Sequence, residues 1–405
     1  MQKRLSISNR GHNAPPSPVR KLVPFAESAK VRGIKVYHVN IGDPDFEAPK
    51  EILNTLKNIT QMTKRVPYAN SKGLKQTVES WKTYYADIGI VLKENDFLIT
   101  NGGSEGLLMV AAALLDPGEE FIVFEPFYAN YLAYANFVSA KVVPVALDPK
   151  NGYHLPSKNE IVKKITSKTK ALFFINPNNP SGTVFTKDEI RMLLDVAVEH
   201  NLFLVSDETY LGMTFDKTKS YSVLHVAKEN EKNHCIVVDS VSKKLNMCGA
   251  RVGVVVSTNS EVMDSVFRFA QGRLSVPYIE QEMVAPMLSD CLEYVAWLAK
   301  QYEARRNAFL ATLEKKLGTK IHKPEGAFYA MVQLPVDDIE EFAKWLLTDF
   351  QDNNETVMVA PGPGFYATAG KGMNEARVAY VLNEKDLERA AELLALAVKK
   401  YTSKK

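Results

Sequence analysis

Chemistry is densest in one short stretch of this 405-residue chain, DSVSKKLNMCGARVG at residues 239–253. It holds two hydroxyls, Ser240 and Ser242, a pair of lysines, Lys243 and Lys244, and then Arg251, eight residues past Lys243. The stretch starts at the end of CIVVDS, an apolar run that reads as a buried strand. A lysine at the carboxyl end of such a strand projects into the crevice where parallel sheets bind ligands. Hydroxyl donors and a guanidinium fork beside it suit a phosphate dianion. By proximity alone either lysine could serve.

Other reactive groups also sit where apolar runs end. LFLVSDETY puts Asp207 at the end of a buried-looking strand, where a carboxylate is costly unless it is paired. TNGGSEGLLMV opens a helix on glycines, and the N–H groups of Gly103 and Ser104, with the helix dipole, make an anion site. There is no GK[ST] after it, which argues against a nucleotide-binding loop, and no GxGxxG for a dinucleotide. In NIGDPDF, Gly42 forms a turn that a second group can approach closely.

The elements that must position these residues are legible from periodicity. DFLIT, EFIVFEP, KVVPVAL, ALFFINP, LFLVSDE, CIVVDS and RVGVVVS read as buried strands. Between several of them lie helical patterns, including SEGLLMVAAALL, KDEIRMLLDVAVEH and EVMDSVFRFA. The alternation predicts an α/β fold with a mostly parallel central sheet covered by helices on both faces. After a long helical pattern, YVAWLAKQYEARRNAFLATLEKKLG, the chain turns to an α+β character that ends in the helix EKDLERAAELLALAVKKY. The expected division is a large α/β domain over residues 48–290, with a small α+β domain built from 1–47 and 291–405.

Composition narrows the function classes. Fifty basic residues against 47 acidic ones leave a net charge of +3, too balanced to argue for nucleic acid. No apolar run is long enough for a membrane span. Three cysteines without a CxxC suit a reducing compartment, and seven scattered histidines give no metal site. The basic, acid-free N-terminus would also fit a mitochondrial transit peptide. It is read as a mature arm because it runs directly into ordered-looking sequence, so the expected location is the cytoplasm, with the mitochondrial matrix left open.

Residues 239–253 resemble the pyridoxal-phosphate attachment motif of the class I/II aminotransferases, fold-type I enzymes of the aspartate aminotransferase kind. The match runs through Ser240, Ser242, Lys243, Asn246, Met247, Gly249, Arg251 and Gly253. The family's spacing to Arg251 selects Lys243 over Lys244 as the lysine that holds pyridoxal 5'-phosphate in a Schiff base. Further segments match in the same order along almost the whole chain. The resemblance implies that Gly103, Ser104, Ser240, Ser242 and Arg251 bind the phosphate, that Tyr128 stacks on the ring, and that Asp207 meets the ring nitrogen. It implies that Asn179 and Tyr210 reach the phenolic oxygen. Tyr68 matches a tyrosine that crosses to a neighbour's phosphate, implying a homodimer with shared active sites. Gly42 and Arg377 match residues that meet the substrate carboxylate.

The implied activity is ping-pong transfer of an α-amino group between an L-amino acid, aspartate or another, and a 2-oxo acid, with 2-oxoglutarate the expected acceptor. Lys243 would carry the proton between substrate and cofactor, and burial beside a cationic cofactor is expected to keep its amine partly neutral. Acidic substrates need a second cation. One group of relatives supplies an arginine from the partner chain, and here Arg273 lies two residues off that register. Another places a lysine where this chain has Ser104. A carbon–sulfur lyase or eliminating synthase on the same fold would keep nearly all these residues. A non-catalytic cofactor-binding regulator would add a DNA-binding domain, for which the roughly forty residues ahead of Gly42 are expected to be too few.

Overall fold

The computed structural model describes residues 5–62 and 64–403, so the first four residues of the N-terminal arm lie outside the described residues. In chain order the strands are β1 Lys35–His38, β2 Phe97–Thr100, β3 Glu120–Glu125, β4 Lys141–Ala146, β5 Thr169–Ile175 and β6 Phe203–Asp207. They continue with β7 Cys235–Ser240, β8 Gly253–Val256, β9 Tyr329–Gln333, β10 Glu355–Met358, β11 Ala360–Pro361 and β12 Glu375–Ala379.

The seven apolar runs read as strands form one seven-stranded sheet, ordered β2-β8-β7-β6-β5-β3-β4. Every pairing is parallel except the two made by β8, which alone runs against the rest. All six residues of β7 are buried. Burial on both faces removes the apolar–polar alternation of a half-exposed strand. KVVPVAL departs from the expectation of a buried strand. It is the edge strand β4, largely half-buried, and Pro144 within it fits an edge, where a missing N–H leaves no ladder partner unsatisfied.

Register brings the chemistry together. Ile175 pairs with Asp207, and Asp207 with Val238, so the carboxyl ends of β5, β6 and β7 lie side by side. The loops that leave them carry Asn179, Tyr210 and Lys243. Thr100 pairs with Gly253, which sets the turn into the helix Gly102–Leu114 beside Arg251. β8 opens on Gly253 because a side chain there would come 2.6 Å from the Gly102 carbonyl carbon.

Two smaller sheets lie outside the large one. β1 pairs in parallel with β10, Lys35 opposite Glu355, so the two ends of the chain share a sheet. β12 is the centre of the antiparallel sheet β11-β12-β9, with Arg377 opposite Ala360 on one side and Met331 on the other. The long helix Leu292–Leu317 packs along the last one, Glu384–Thr402. No helix among the described residues is long and apolar enough to cross a membrane.

Candidate active site

β7 ends at Ser240, which caps the short helix Val241–Lys244: its Oγ accepts from Ser242 N at 3.1 Å. The cap turns the next side chains in opposite directions. Lys243 points into a cavity of about 610 Å³ at the carboxyl ends of β5, β6 and β7. There Nζ donates to the Gly42 carbonyl at 2.7 Å and to Cys248 Sγ at 3.2 Å. Burial pulls this ammonium's pKa down, as expected, but Tyr329 and Cys248 outweigh it and the net direction is upward. Lys244 points into the core and is fully buried, 3.2 Å from Asp239 Oδ2 and 2.8 Å from Tyr84 Oη. Two adjacent lysines that look alike in sequence are thus separated by the fold.

One wall of the cavity is built for an anion. Gly103 and Ser104 stand in the first turn of a thirteen-residue helix, whose leading N–H groups have no partner within it. Ser240 and Ser242 line the same wall with their hydroxyls 2.8 Å apart. Arg251 adopts a left-handed backbone (φ 53°), and its Nη1 donates to the Cys248 carbonyl at 2.9 Å. The tight glycine of the turn is Gly102, with φ +75°, where a Cβ would come 2.3 Å from Arg251 Nη2. Gly103 would meet nothing nearer than 3.5 Å.

Asp207 forms the floor. Thr209 donates to its Oδ1 from both N, at 3.2 Å, and Oγ1, at 2.7 Å. Burial nonetheless pushes this carboxyl up to about 6. No cationic side chain among the described residues comes within ion-pair distance of it. Tyr128 and Tyr210 flank the floor, and Tyr210 Oη donates to Tyr329 Oη at 3.1 Å.

Arg377 closes the opposite side from the middle of β12. It is 5% exposed, and burial depresses its pKa. Its Nη2 donates to the Asn40 carbonyl at 2.6 Å and Nη1 to Asn179 Oδ1 at 3.1 Å, while Nε has no hydrogen-bond partner among the described residues. The rings of Tyr329 and Phe365 lie 4.5 and 4.8 Å from its Cζ.

Two residues expected to serve a partner's site lie outside the cavity of their own chain, and one expected backbone contact is replaced by another. Arg273 is not in the cavity of its own chain: it sits at the end of the helix Ser260–Arg273, with Nε 3.3 Å from Glu105 Oε1 and Nη2 donating to the Ile99 carbonyl at 3.0 Å. Tyr68 is 81% exposed and also lies outside that cavity. Gly42 contacts Lys243 through its carbonyl, and its lack of a side chain spares a clash with Tyr329 Oη at 1.8 Å. Sequence reasoning missed Cys248, Thr209, Tyr329, Asp43 and Arg20, all of which line the cavity. For Cys248 a signal existed, five residues past Lys243 across a tight turn; Tyr329 looked like strand core.

Cys248 gives a direct check on this geometry. Burial lifts the thiols of Cys235 and Cys291 to about 12 and about 11, whereas Cys248 is half-buried at the cavity. Titration with a chromogenic disulfide near pH 8 should find one fast thiol in the native protein and three after denaturation, the chain's full count. Prior addition of pyridoxal phosphate should slow the fast one. Two fast native thiols would contradict the placement.

Comparison with known proteins agrees over nearly the whole chain. The profile of "Aminotransferase class I and II" matches residues 34–394. An aspartate aminotransferase of Pyrococcus horikoshii is 28% identical over 390 residues, covering 94% of each chain. Two solved structures superpose with a TM-score of 0.88 at 27% identity. One is the Thermus thermophilus aspartate aminotransferase with maleate, covering 97% of this chain and 100% of that one. The other is an alanine aminotransferase from Pyrococcus furiosus, covering 98% and 100%.

Proposed function

The chain belongs to the class I and II aminotransferases, a family of pyridoxal-phosphate-dependent transaminases, and from that premise we propose that it transfers the α-amino group of an L-amino acid, aspartate or another, to a 2-oxo acid such as 2-oxoglutarate in two half-reactions. The observation that carries the reading is Lys243 Nζ, held by Gly42 and Cys248 in a cavity that it shares with Asp207, Arg251 and Arg377.

Pyridoxal 5'-phosphate is the cofactor of this family, and the residues present fit it. Asp207 is a buried carboxyl with no cationic partner among the described residues, as a pyridinium nitrogen requires. The helix start at Gly103 and Ser104, the hydroxyls of Ser240 and Ser242, and Arg251 suit its phosphate. Tyr128 is the side chain for its ring face, and Asn179 and Tyr210 for its phenolic oxygen. When bound, the cofactor supplies an electron sink for charge developing at the substrate Cα.

The chain's own residues do the rest. Arg377 takes the α-carboxylate, its guanidinium oriented in advance by Asn40 and Asn179. Arg377 also holds Asn179 Oδ1, which leaves the amide's Nδ2 end to act as donor. Lys243 Nζ takes the proton from Cα as general base and, as general acid, gives it up on the cofactor side rather than back to Cα. The Gly42 carbonyl and Cys248 Sγ fix where that nitrogen stands. Tyr329, beside both Tyr210 and Arg377, screens the site from water. A homodimer in which the partner's Tyr68 completes the phosphate site, the domain division at residues 48 and 290, and a cytoplasmic location complete the reading.

The deciding experiment is a panel of amino donors and 2-oxo acids, followed by cofactor absorbance in each half-reaction. Transfer requires an oxo acid to restore the starting spectrum. Ammonia release without an oxo-acid acceptor would instead mark a lyase.

A further inference from the structure

Four cationic side chains line the cavity: Arg20, Lys243, Arg251 and Arg377. The proposed reaction uses three. Arg20 is the remaining one, and it makes no side-chain hydrogen bond or ion pair among the described residues. Its neighbour Lys21 is engaged by Glu340.

Arg20 reaches the cavity because the N-terminal arm is strapped across it. Asn136 Nδ2 donates to the Asn13 carbonyl at 3.2 Å, holding the arm to the helix Asn130–Val138. Pro18 packs on Gly364 so closely that a Cβ there would come 2.0 Å from Pro18 Cβ. Leu22 is 4% exposed, and the helix Val23–Val31 follows it. Between these anchors the turn at Ser17–Lys21 closes with Lys21 N donating to the Ser17 carbonyl at 3.2 Å. Ser17, Val19 and Arg20 face the cavity. The turn sits on the Arg377 side: Phe365, next to Gly364, lies against the Arg377 guanidinium at 4.8 Å. Arg251 belongs to the sheet side, beside the Gly102 turn.

We propose that Arg20 is the specificity-determining residue of this enzyme, binding the side-chain carboxylate of a four- or five-carbon dicarboxylic amino acid whose α-carboxylate lies on Arg377. The inference rests on the aminotransferase reading. A guanidinium fork without a carboxylate partner matches a carboxylate in geometry and charge. Two carboxylates a few atoms apart require two cations on one side of the cavity, and Arg20 and Arg377 are the pair that the arm brings there. Two carboxylates, Asp43 and Asp207, also line the cavity. Asp207 lies on the floor, and Asp43 belongs to the Gly42 turn beside Lys243. Arg273, the cation suggested by sequence for a partner's site, pairs with Glu105 and lies outside the cavity of its own chain.

The test uses the full-length enzyme loaded with pyridoxal phosphate. Wild type should prefer L-aspartate or L-glutamate to L-alanine in kcat/KM. Arg20→Gln should lower that preference by about 10- to 100-fold, the worth of a hydrogen bond to a charged group. Arg20→Lys should retain part of it. Calorimetric titration with succinate, which needs no turnover, should show a parallel loss of affinity in Arg20→Gln. Arg273→Gln should leave the preference where it was. An unchanged preference and unchanged succinate affinity in Arg20→Gln would overturn the proposal, as would a preference that follows Arg273. If wild type converts no amino acid, the aminotransferase reading fails, and succinate binding still decides for or against Arg20.

Discussion

Lys243→Ala is expected to lower transamination by more than about 10⁴-fold and to end borohydride trapping of pyridoxal phosphate on the protein. Positioned acid–base groups contribute about 10²- to 10⁴-fold, and this variant also loses the covalent tether. The variant should still fold. The Lys243 side chain lies in a cavity, and its Nζ partners are a carbonyl and a thiol sulfur, so truncation strands no buried charge. Asp207, Arg251 and Arg377 stay in place, so the cofactor should still bind, reversibly. Peptide mapping after reduction should find the adduct on residue 243 of wild type. An adduct on Lys244 in the variant, with turnover within about tenfold of wild type, would sink the assignment.

Much of this site could be read from sequence because its residues stand where apolar runs stop. Asp207 and Ser240 end β6 and β7, and the loop after β5 carries Asn179. A strand buried on both faces writes itself as an unbroken apolar run, so the inner strands of the sheet were legible, and β4 was found by the same kind of run although it is a half-buried edge strand. Direction was not. RVGVVVS looks the same in either sense, and only the short link from Lys244 to Gly253 forces β8 to run antiparallel to β7. Several helices were also hidden. Tyr278–Leu288 contains Pro286, and Asn130–Val138 is rich in aromatics that suggest a packed loop as easily as a helix. Two of the missed site residues share a cause: Tyr329 stands 48 residues before Arg377 and Arg20 stands in a basic arm 22 residues before Gly42, so only tertiary packing brings them to the cavity, whereas Cys248, Thr209 and Asp43 lay inside motifs already singled out. Arg273 is a different case: the register suggested a role in a partner's site, and within its own chain the side chain pairs with Glu105, one helix away.

Lys244→Met should reverse the pattern of its neighbour, with activity per folded molecule largely kept and stability lost by about 3–5 kcal/mol. Both Lys244 and Asp239 are fully buried, and Asp239 holds the ammonium well above its ordinary pKa against the effect of burial. Removing the lysine strands a carboxylate in a region that already holds Glu208, which burial lifts to about 8, and Asp207 at about 6. Burial already raises Asp239 to about 6 with Lys244 present, and without it the folded-state value must climb further. A carboxyl whose folded pKa lies above its unfolded one destabilises the protein once pH exceeds the unfolded value. The deficit of Lys244→Met should therefore widen as pH rises from about 6, where Asp239 ionises in wild type, toward its higher folded value in the variant, level off above that, and narrow toward pH 5. Thermal midpoints at fixed protein and cofactor concentration would measure it. Adding Asp239→Leu to Lys244→Met should restore most of the loss, because no charge then remains without a partner. A Lys244→Met protein as stable as wild type but without turnover would exchange the roles of the two lysines. The cavity contacts of Lys243 and the closed pair of Lys244 with Asp239 argue against that outcome.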